Sequence, residues 1–507
     1  MDHAKPSEIE SKILTIAASI LVLAGIFLRL HKYLLDRSFR GDEVALANNV
    51  INHSALDLLI KPLDSNQAAP IAFLGLEKLL ASVLGSSDYV FRLVPLVAGC
   101  ASVVLVYILS RKITGMYGAI FVLAGFVLNS SLIIYSSDFK QYSSDVLIAI
   151  ILYLLLVYHL QIASWHSTYR LGIAGLIAIL GSHPSIFIVG SISILLLIHH
   201  RRDRQKFIWA IGLSSVWGAL FILLYFVSFR SIGHNSYLVQ YWKDLNALMP
   251  IPPWQDLSWY PVRVGALFTT LLDLPPFAWL EVIIFVFGLI SFFLRKRSEW
   301  IIAFTAPIFL TVLASGVINY PFKGRLIFFL IPGLLVVLGE GLEKLFQLLS
   351  RNRLSAYTAW SLLSLFLLST PFQSARTILT SARSYPFNED IRPVVEFIDR
   401  NSQAGDAIVL YHNGVAAFRY YSALYGVDPQ AFIYSQDYSR QPGKYYDEIE
   451  SLPRDQRIWF VFSNVARNKL GIDERVYAID YIEQSGGQLL AQYDADGVSF
   501  GYLYILK

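Results

Sequence analysis

The chain has 507 residues, of which 55% are hydrophobic and only 15% are charged. An average soluble protein has about 25% charged residues. Together with a mean hydropathy of +0.51, this composition excludes a disordered chain, a fibrous chain and an ordinary water-soluble enzyme. The long apolar runs instead predict an α-helical protein that crosses a membrane many times.

The charges are unevenly distributed along the chain. Residues 372–507 contain 13 Lys and Arg against 17 Asp and Glu, whereas the residues before them contain 28 and 20. This difference predicts a transmembrane domain over residues 1–371 and a soluble α/β domain over residues 372–507. The net charge of +4, without a compact basic patch of interleaved aromatics, argues against a nucleic-acid partner. The single cysteine, Cys100, excludes an intrachain disulfide.

The first apolar run, residues 13–30, follows charged residues and lacks a small-residue cleavage pattern, which predicts a retained membrane anchor. Ten further apolar runs follow it, so the predicted number of membrane spans is about eleven. These runs begin near Val90, Gly115, Ser144, Leu171, Ser185, Phe207, Phe277, Trp300, Leu326 and Ala356.

Basic loops orient the predicted spans. Clusters of Lys and Arg near residues 111–112, 199–206, 295–297 and 351–353 each follow an even-numbered span. Because such loops favour the cytoplasmic side, the N-terminus is predicted to be cytoplasmic and the tail extracytoplasmic, in a multi-pass protein of the inner (plasma) membrane. The loops predicted to be external are residues 31–89, 136–143, 230–276 and 319–325.

The tail has the pattern of a small α/β domain. Residues 391–400 form an amphipathic pattern that predicts a helix, and three short apolar runs predict strands at 407–411, 457–462 and 498–506. Alternation of helix and strand after a fall in hydropathy is typical of a separate water-exposed domain.

The first external loop carries two adjacent carboxylates, Asp42 and Glu43, directly after Arg40 and Gly41. Acidic residues are favoured at a helix N-terminus, so one interpretation is that both residues only cap a surface helix. The other interpretation is chemical, because a carboxylate at the membrane face can remove a proton from an acceptor hydroxyl as a general base. Arg40 is then a candidate substrate contact.

The second external loop places Asp138, Lys140 and Tyr142 within one turn at the membrane edge. Tyr and Lys commonly anchor a protein at the membrane interface, which accounts for Tyr142 but less well for the acid. Asp145 follows at the start of a span, where a charge is expensive and usually functional or paired.

Lys323 and Arg325 lie on the predicted external face, against the general distribution of basic residues. A phosphate is the natural partner, since Arg binds phosphate in a bidentate manner. The alternative is ion pairing with an acid such as Asp42 or Asp138. Arg92, at the external start of the second span, is a similar case.

Two more residues on this face are candidate substrate contacts together with Arg40 and Tyr142. Tyr320 precedes the two cations, and His183 lies between the fifth and sixth predicted spans. A lone histidine in that position is more often a packed polar cap than a catalytic group.

Four short motifs follow one another on the predicted external face: residues 41–43 (GDE), 67–70 (QAAP) with 91–95 (FRLVP), 135–143 (YSSDFKQYS) and 320–326 (YPFKGRL). In their order and common side they resemble the GT-C glycosyltransferases, in particular the bacterial group similar to protein O-mannosyltransferases and the lipid A aminoarabinose transferase. The resemblance covers roughly residues 13–162 strongly and weakens towards residue 371.

The resemblance implies a GT-C fold and an inverting transferase whose donor is a polyprenyl-phosphate-linked sugar. Its acceptor would be a protein, a lipid or a glycan outside the membrane, and membrane lipids would surround it. By motif position, Asp42 resembles the catalytic carboxylate, Glu43 its support and Asp138 the second acid. The implied contacts to the donor phosphate are Lys140, Lys323, Arg325 and Arg92.

The acids of the related oligosaccharyltransferases hold a divalent metal, whereas the mannosyltransferase-like branch generally works without one. The sequence resembles the second branch more closely, so we predict no metal and no other cofactor.

Two other functions are compatible with these residues. A transporter or flippase of lipid-linked sugars needs the same lipid-facing groove and cations, but transporters often show internal repeats, and the sequence shows none. A non-catalytic sensor or assembly protein would use its tail to bind a partner.

Overall fold

The packing of the chain divides it into two compact units. One contains Met1–Leu34 and Val50–Leu379, and the other contains Leu35–Asn49 and Thr380–Lys507. The beginning of the predicted first external loop therefore belongs to the same unit as the tail, while the domain boundary at residue 371 stays a prediction. The computed structural model describes residues 7–162, 164–226, 236–350, 352–381, 383, 385–387, 389–438, 441, 443–467, 471 and 473–507.

The first unit, here called the membrane unit, consists of helices. Short 3-10 segments occur at Tyr135–Ser137 and Gly324–Leu330, and a π-helical turn occurs at Leu267–Leu271. The α-helices, including the one that joins it to Leu35–Asn49, are Glu8–Leu34, Gly41–Asn52, Ala55–Ile60, Ile71–Leu84, Asp88–Phe91, Leu93–Ile113, Met116–Leu128, Ser130–Ile134, Tyr142–Ile162, Trp165–Gly181, Ser185–His200, Arg204–Leu224, Ser236–Asp244, Trp259–Ala266, Ala278–Leu294, Ser298–Val317, Ile331–Leu349, Arg353–Leu367 and Ser369–Thr380.

Within the described residues, six helical segments are long and apolar enough to cross a membrane. A seventh is the pair Met116–Leu128 and Ser130–Ser137, which is bent by 57°. Every predicted span lies on a helix of the structure, but the predicted fifth, sixth, eighth and eleventh lie on helices of only 17, 16, 17 and 15 residues. Since about 20 residues cross the hydrocarbon layer, the number eleven stays a prediction. The six segments are Glu8–Leu34, Asp88–Ile113, Tyr142–Ile162, Arg204–Leu224, Ser298–Val317 and Gly324–Leu349.

Of the six segments, Gly324–Leu349 is the most enclosed, since 94% of its apolar 18-residue window is buried. Most of this segment is the helix Ile331–Leu349. Such a helix is apolar on all sides because every side meets another helix. Its last turns nevertheless carry two buried acids. Glu340 Oε1 lies 3.2 Å from Arg295 Nη1, and Glu343 Oε2 accepts a 2.9 Å hydrogen bond from the Gly118 backbone N–H.

The second unit, here called the tail unit, is built on one five-stranded sheet with the order β2-β1-β3-β5-β4. β1 is parallel to β2 and β3, whereas β5 is antiparallel to β3 and β4. The strands are β1 Ala407–Leu410, β2 Phe432–Tyr434, β3 Arg457–Ser463, β4 Gln488–Ala495 and β5 Ser499–Ile505. The predicted α-helical membrane protein with a C-terminal α/β domain is thus confirmed.

Four helices accompany the sheet, and the core of the unit lies between them and the central strands. Ile458 and Phe460 of β3 and Tyr504 of β5 are almost completely buried there. β2 and β4 were not predicted, because β2 has only three residues and most of β4 is exposed, so neither presents a continuous apolar run. The helices are Arg392–Asn401, Val415–Tyr425, Lys444–Glu450 and Glu474–Gln484.

Candidate active site

The segment Leu35–Asn49 is fixed within the tail unit by three backbone hydrogen bonds to side chains that follow residue 380. The Ser38 N–H donates to Asp390 Oδ1 at 3.0 Å, and the Phe39 N–H donates to Tyr421 Oη at 2.6 Å. The Gly41 N–H, at the start of helix Gly41–Asn52, donates to Glu389 Oε2 at 2.9 Å. The position of this helix start therefore depends on residues of the tail.

The two adjacent carboxylates of this segment have different environments. Glu43 is fully buried, lies 2.7 Å from Arg37 Nη1 and accepts a 3.1 Å hydrogen bond from the Arg40 N–H. A carboxylate that bonds back to the N–H three residues earlier caps a helix, so the capping interpretation fits Glu43. The side chain of Asp42 is 27% exposed and lies 3.8 Å from Arg40 Nη2. Asp42 is therefore the accessible carboxylate of the pair.

Arg40 and Arg37 are also held by an aromatic ring. The Arg40 guanidinium lies 3.7 Å from the centroid of Phe387, and that of Arg37 lies 4.9 Å away. The face of an aromatic ring attracts a cation, and this attraction is stronger where water is excluded. The guanidinium of Arg40 is thus held by Phe387 and Glu43 at a position beside the carboxylate of Asp42.

Two acids of the tail, Glu389 and Asp390, complete this cluster and were missed at the sequence level. Burial raises the pKa of Glu389, and the nearby charges of Asp42 and Glu43 act in the same direction. Burial also acts to raise the pKa of Asp390, but hydrogen bonds from Arg383 and Ser38 outweigh burial and leave that pKa lowered. In the sequence, the two acids are visible only as an adjacent pair directly before the predicted helix 391–400. Such a pair is common at an ordinary helix start, so it did not indicate a role in the site.

In the membrane unit, the second and third motifs are in direct contact. Lys140 Nζ donates a 2.6 Å hydrogen bond to Gln67 Oε1, and Gln141 Nε2 donates to the Ala68 carbonyl at 3.4 Å. Sequence positions about 70 residues apart thus meet through their side chains. The ammonium of Lys140 is held in one place, with only 4% of the residue exposed.

Asp138 and Arg92 lie in the interior of the membrane unit, with exposed fractions of 0% and 2%. Phe139, which follows the acid, packs with its ring 4.7 Å from that of Phe91 and 6.1 Å from that of Phe73. This aromatic packing fixes the turn that carries Asp138.

The two tyrosines of the third motif meet the fourth motif. The rings of Tyr135 and Tyr142 lie 5.5 Å apart, and Phe328 packs 5.1 Å from Tyr135. The Arg325 guanidinium lies 5.4 Å from the centroid of Tyr142. Tyr142 is therefore more than an interfacial anchor, because its ring helps to position a cation predicted to bind phosphate.

The remaining predicted residues have other neighbours. Lys323 Nζ donates to the Leu245 carbonyl at 2.9 Å, and burial, with Arg263 nearby, lowers the pKa of Lys323. Tyr320 Oη donates to the Leu326 carbonyl at 2.7 Å, which shapes the turn around the two cations. Burial lowers the pKa of His183 to about 3, so this imidazole is neutral at physiological pH and supplies no positive charge.

The described residues contain no group of three or more His, Cys, Asp or Glu side chains that could hold a metal ion. Two buried acids of the tail unit, Glu43 and Asp390, instead pair with Arg37 and Arg383.

Comparison with known proteins gives structural but not sequence matches. No family model matches the chain, and no curated protein matches its sequence. One similar solved structure is ArnT from Cupriavidus metallidurans bound to undecaprenyl phosphate. It is 10% identical with a TM-score of 0.47, and the match covers 97% of this chain and 98% of that one.

The oligosaccharyltransferase of Archaeoglobus fulgidus, in complex with Zn and sulfate, is similar with a TM-score of 0.52 and 12% identity, over 88% of this chain and 67% of that one. A second structure of that enzyme, tethered with an acceptor peptide containing the NVT sequon, gives a TM-score of 0.51 at 13% identity. That match covers 98% of this chain and 74% of the other. The chain therefore shares the fold of this oligosaccharyltransferase, which agrees with the GT-C fold that the resemblance implied.

Proposed function

We propose that the chain is an integral membrane glycosyltransferase that moves a sugar from a polyprenyl-phosphate-linked donor to a protein, lipid or glycan acceptor on the extracytoplasmic side. The fold supports a transferase of this kind, although fold alone does not determine chemistry. The observation that carries the proposal is the contrast between Asp42 and Glu43. One carboxylate is buried in ion pairs, and its neighbour is partly exposed at a helix start that other residues hold in place.

In the proposed reaction, Asp42 is the general base. Its carboxylate takes the proton of an acceptor hydroxyl or amide, and the acceptor atom attacks the anomeric carbon of the donor sugar. The bond from that carbon to the phosphate oxygen breaks, and both bonding electrons leave with the phosphate. One displacement inverts the configuration at the anomeric carbon. A positioned general base contributes about 10²–10⁴-fold to such a step.

We propose that cations of the membrane unit receive the departing phosphate. Arg325 offers a planar guanidinium whose position is supported by the Tyr142 ring, and Lys140 offers an ammonium fixed by Gln67. Fixed positive groups stabilise the charge that develops on a leaving phosphate, since they need no rearrangement during the reaction. Arg92 and Lys323 would add to the positive potential, and Asp138 would orient these groups from its buried position.

The decisive experiment replaces Asp42 by Asn in the full-length protein. Membranes that contain the protein are supplied with synthetic undecaprenyl-phosphate hexoses and pentoses, and the release of undecaprenyl phosphate is measured. The Asp42→Asn variant should release it at least about 100-fold more slowly, because the amide cannot accept the proton. Asp64→Asn is the matched control, since Asp64 lies in the same loop with 74% of its side chain exposed.

Full transfer by the Asp42→Asn variant would exclude Asp42 as the base. Movement of the lipid-linked sugar across a reconstituted bilayer, without release of undecaprenyl phosphate, would instead favour the transporter.

A further inference from the structure

A pocket outside the candidate active site lies at the basic end of four helices in the membrane unit. It has a volume of about 260 Å³. Its wall includes His159, His200 and Lys206 as well as the indoles of Trp165 and Trp209. The two indoles meet edge to face, with ring centroids 4.1 Å apart. The pocket is thus polar at one side, where Lys206 and Asp203 also line it, and aromatic at the other.

An apolar groove of about 530 Å³ continues directly from this pocket. The groove runs between helices Trp165–Gly181 and Arg204–Leu224, and it shares Thr168, Trp209 and Leu213 with the pocket. Its remaining lining is almost entirely apolar: Tyr169, Gly172, Ile173, Leu176, Ile208, Gly212 and Val216. A polar pocket that opens into an apolar groove has the two-part character of a lipid molecule.

We propose that the pocket and groove bind an anionic glycerophospholipid, with the phosphate headgroup in the pocket and one acyl chain in the groove. The site differs from the candidate active site, and its occupant is a structural lipid that is neither donor nor acceptor. The proposal does not depend on the transferase chemistry.

Charge favours an anionic headgroup. The lining itself holds one cation, Lys206, and one acid, Asp203. The excess positive charge comes from Arg201, Arg202 and Arg204, which do not line the pocket but belong to the same run of residues 199–206. Asp203 is already engaged, because its carboxylate caps helix Arg204–Leu224 and lies 3.4 Å from Lys206 Nζ. Basic pockets between membrane helices commonly bind anionic headgroups, and indoles are enriched at the depth of the headgroups.

Length favours an acyl chain over a polyprenyl chain. The lining extends from Thr168 to Leu176 on one helix and from Ile208 to Val216 on the other, or about 12 Å at 1.5 Å per residue. One leaflet of the hydrocarbon core is about 15 Å thick, so the groove matches the depth that an acyl chain occupies. A polyprenyl chain is much longer and would leave most of its length outside the groove.

Two glycines of helix Arg204–Leu224 provide a test and its control. Gly212 lines the groove, and a Cβ atom at this position would meet no atom within 4 Å, so a larger side chain there begins in open space and would extend into the groove. Gly218 lies on the same helix in equally open space but does not line the groove. The variants Gly212→Leu and Gly218→Leu therefore differ mainly in whether the new side chain occupies the proposed lipid site.

The full-length protein is purified in detergent and incubated with phosphatidylglycerol, phosphatidylcholine or undecaprenyl phosphate, and retained lipid is measured by native mass spectrometry. The unmodified protein should retain phosphatidylglycerol in preference to the other two. Retention of phosphatidylglycerol should fall about tenfold in Gly212→Leu, because the new side chain would displace about two methylene groups of the acyl chain from the groove. Retention should be unchanged in Gly218→Leu.

Lys206→Glu tests the headgroup independently. Lys206 is 57% exposed, so the variant should fold, and its preference for phosphatidylglycerol over phosphatidylcholine should disappear. Equal retention by the unmodified protein and Gly212→Leu would overturn the proposed acyl-chain position. Equal retention of both glycerophospholipids by the unmodified protein would overturn the anionic headgroup. Stronger retention of undecaprenyl phosphate, lost in Gly212→Leu, would overturn the choice of a glycerophospholipid.

Discussion

Asp390 is one of the residues that connect the acid-bearing segment Leu35–Asn49 to the rest of the tail unit. Its carboxylate accepts hydrogen bonds from the Ser38 N–H and from Arg383, and its own N–H donates to Ser499 Oγ at 3.1 Å. The carboxylate is almost completely buried, whereas the Arg383 side chain is 29% exposed. Loss of the charge would leave a partly buried guanidinium with a weaker acceptor.

We expect Asp390→Asn to lower the free energy of unfolding by about 1–3 kcal/mol, below the usual cost of breaking a fully buried pair because Arg383 is partly in water. Thermal unfolding of the purified protein measures this loss. Asp399→Asn, an exposed acid on the following helix, is the control and should have little effect. Equal destabilisation by both variants would contradict the assigned role of Asp390.

The same residue should make stability depend on pH. Because the folded-state pKa of Asp390 is lowered, the folded protein binds this proton less tightly than the unfolded chain. Its contribution is therefore present above the ordinary pKa of an aspartate, near 3.9, and is lost as the pH falls through the lowered value. The stability difference between the unmodified protein and Asp390→Asn should shrink in acid for this reason.

At the scale of single residues, the sequence predicted both Asp42 and Glu43 as site residues but did not predict what distinguishes their environments. Asp42 and Glu43 are equivalent in a sequence motif at a helix start. Their different exposures result from Arg37 close by and from Glu389, almost 350 positions later, which holds the intervening backbone. A contact over that separation leaves no local pattern.

At the scale of elements, two glycines allow the helices around Ile331–Leu349 to approach closely. A Cβ atom on Gly288 would lie 2.1 Å from the Val337 carbonyl oxygen, and one on Gly341 would lie 2.3 Å from that of Ile284. Both clashes are with backbone atoms, which cannot move aside as a flexible side chain can. Small residues at such crossings allow van der Waals contact between the helix backbones, a main source of stability inside a membrane.

Gly288→Ala should therefore destabilise the protein by about 1–3 kcal/mol or more, although alanine favours helix formation. Gly218→Ala, where the added methyl group meets no atom within 4 Å, should be neutral or slightly stabilising. Thermal unfolding in detergent compares the two. A neutral Gly288→Ala would show that the close approach is not required for stability.

The sequence predicted the positions of the helices because an apolar run is a local signal. It did not predict which helix would be enclosed by the others. The segments Gly324–Leu349 and Arg204–Leu224 are both strongly apolar, yet the buried share of their apolar 18-residue windows is 94% in the first and 17% in the second. Burial is decided by tertiary neighbours, and composition alone does not distinguish a neighbouring helix from lipid.

At the scale of the whole molecule, the tail unit is assembled from two distant pieces of chain. Arg392 Nη2 lies 2.6 Å from Asp36 Oδ2, and the Phe39 N–H donates to Tyr421 Oη. Residues 380–507 alone would lose these partners while keeping the five-stranded sheet. The composition of the tail gives no indication that a segment is missing from it.

We expect the isolated fragment 380–507 to be stabilised by a synthetic peptide of residues 35–49. A ligand that binds only the folded form raises its stability by mass action. A gain of about 1 kcal/mol would raise the unfolding midpoint of a domain of this size by roughly 4 °C. A peptide of the same composition in scrambled order is the control, and an equal shift with both peptides would contradict specific docking.

The two-piece construction of the tail unit also has a consequence for the order of biosynthesis. The ribosome makes the segment that carries Asp42 early, but its partners in Thr380–Lys507 emerge only at the end of synthesis. At about 5–20 residues per second, the interval is roughly 20 to 70 s. During that time Glu389 and Asp390 cannot yet hold the helix start that carries the proposed base. In a chain that is still being translated, or in one that terminates early, the helix start that carries Asp42 would therefore lack these tail partners.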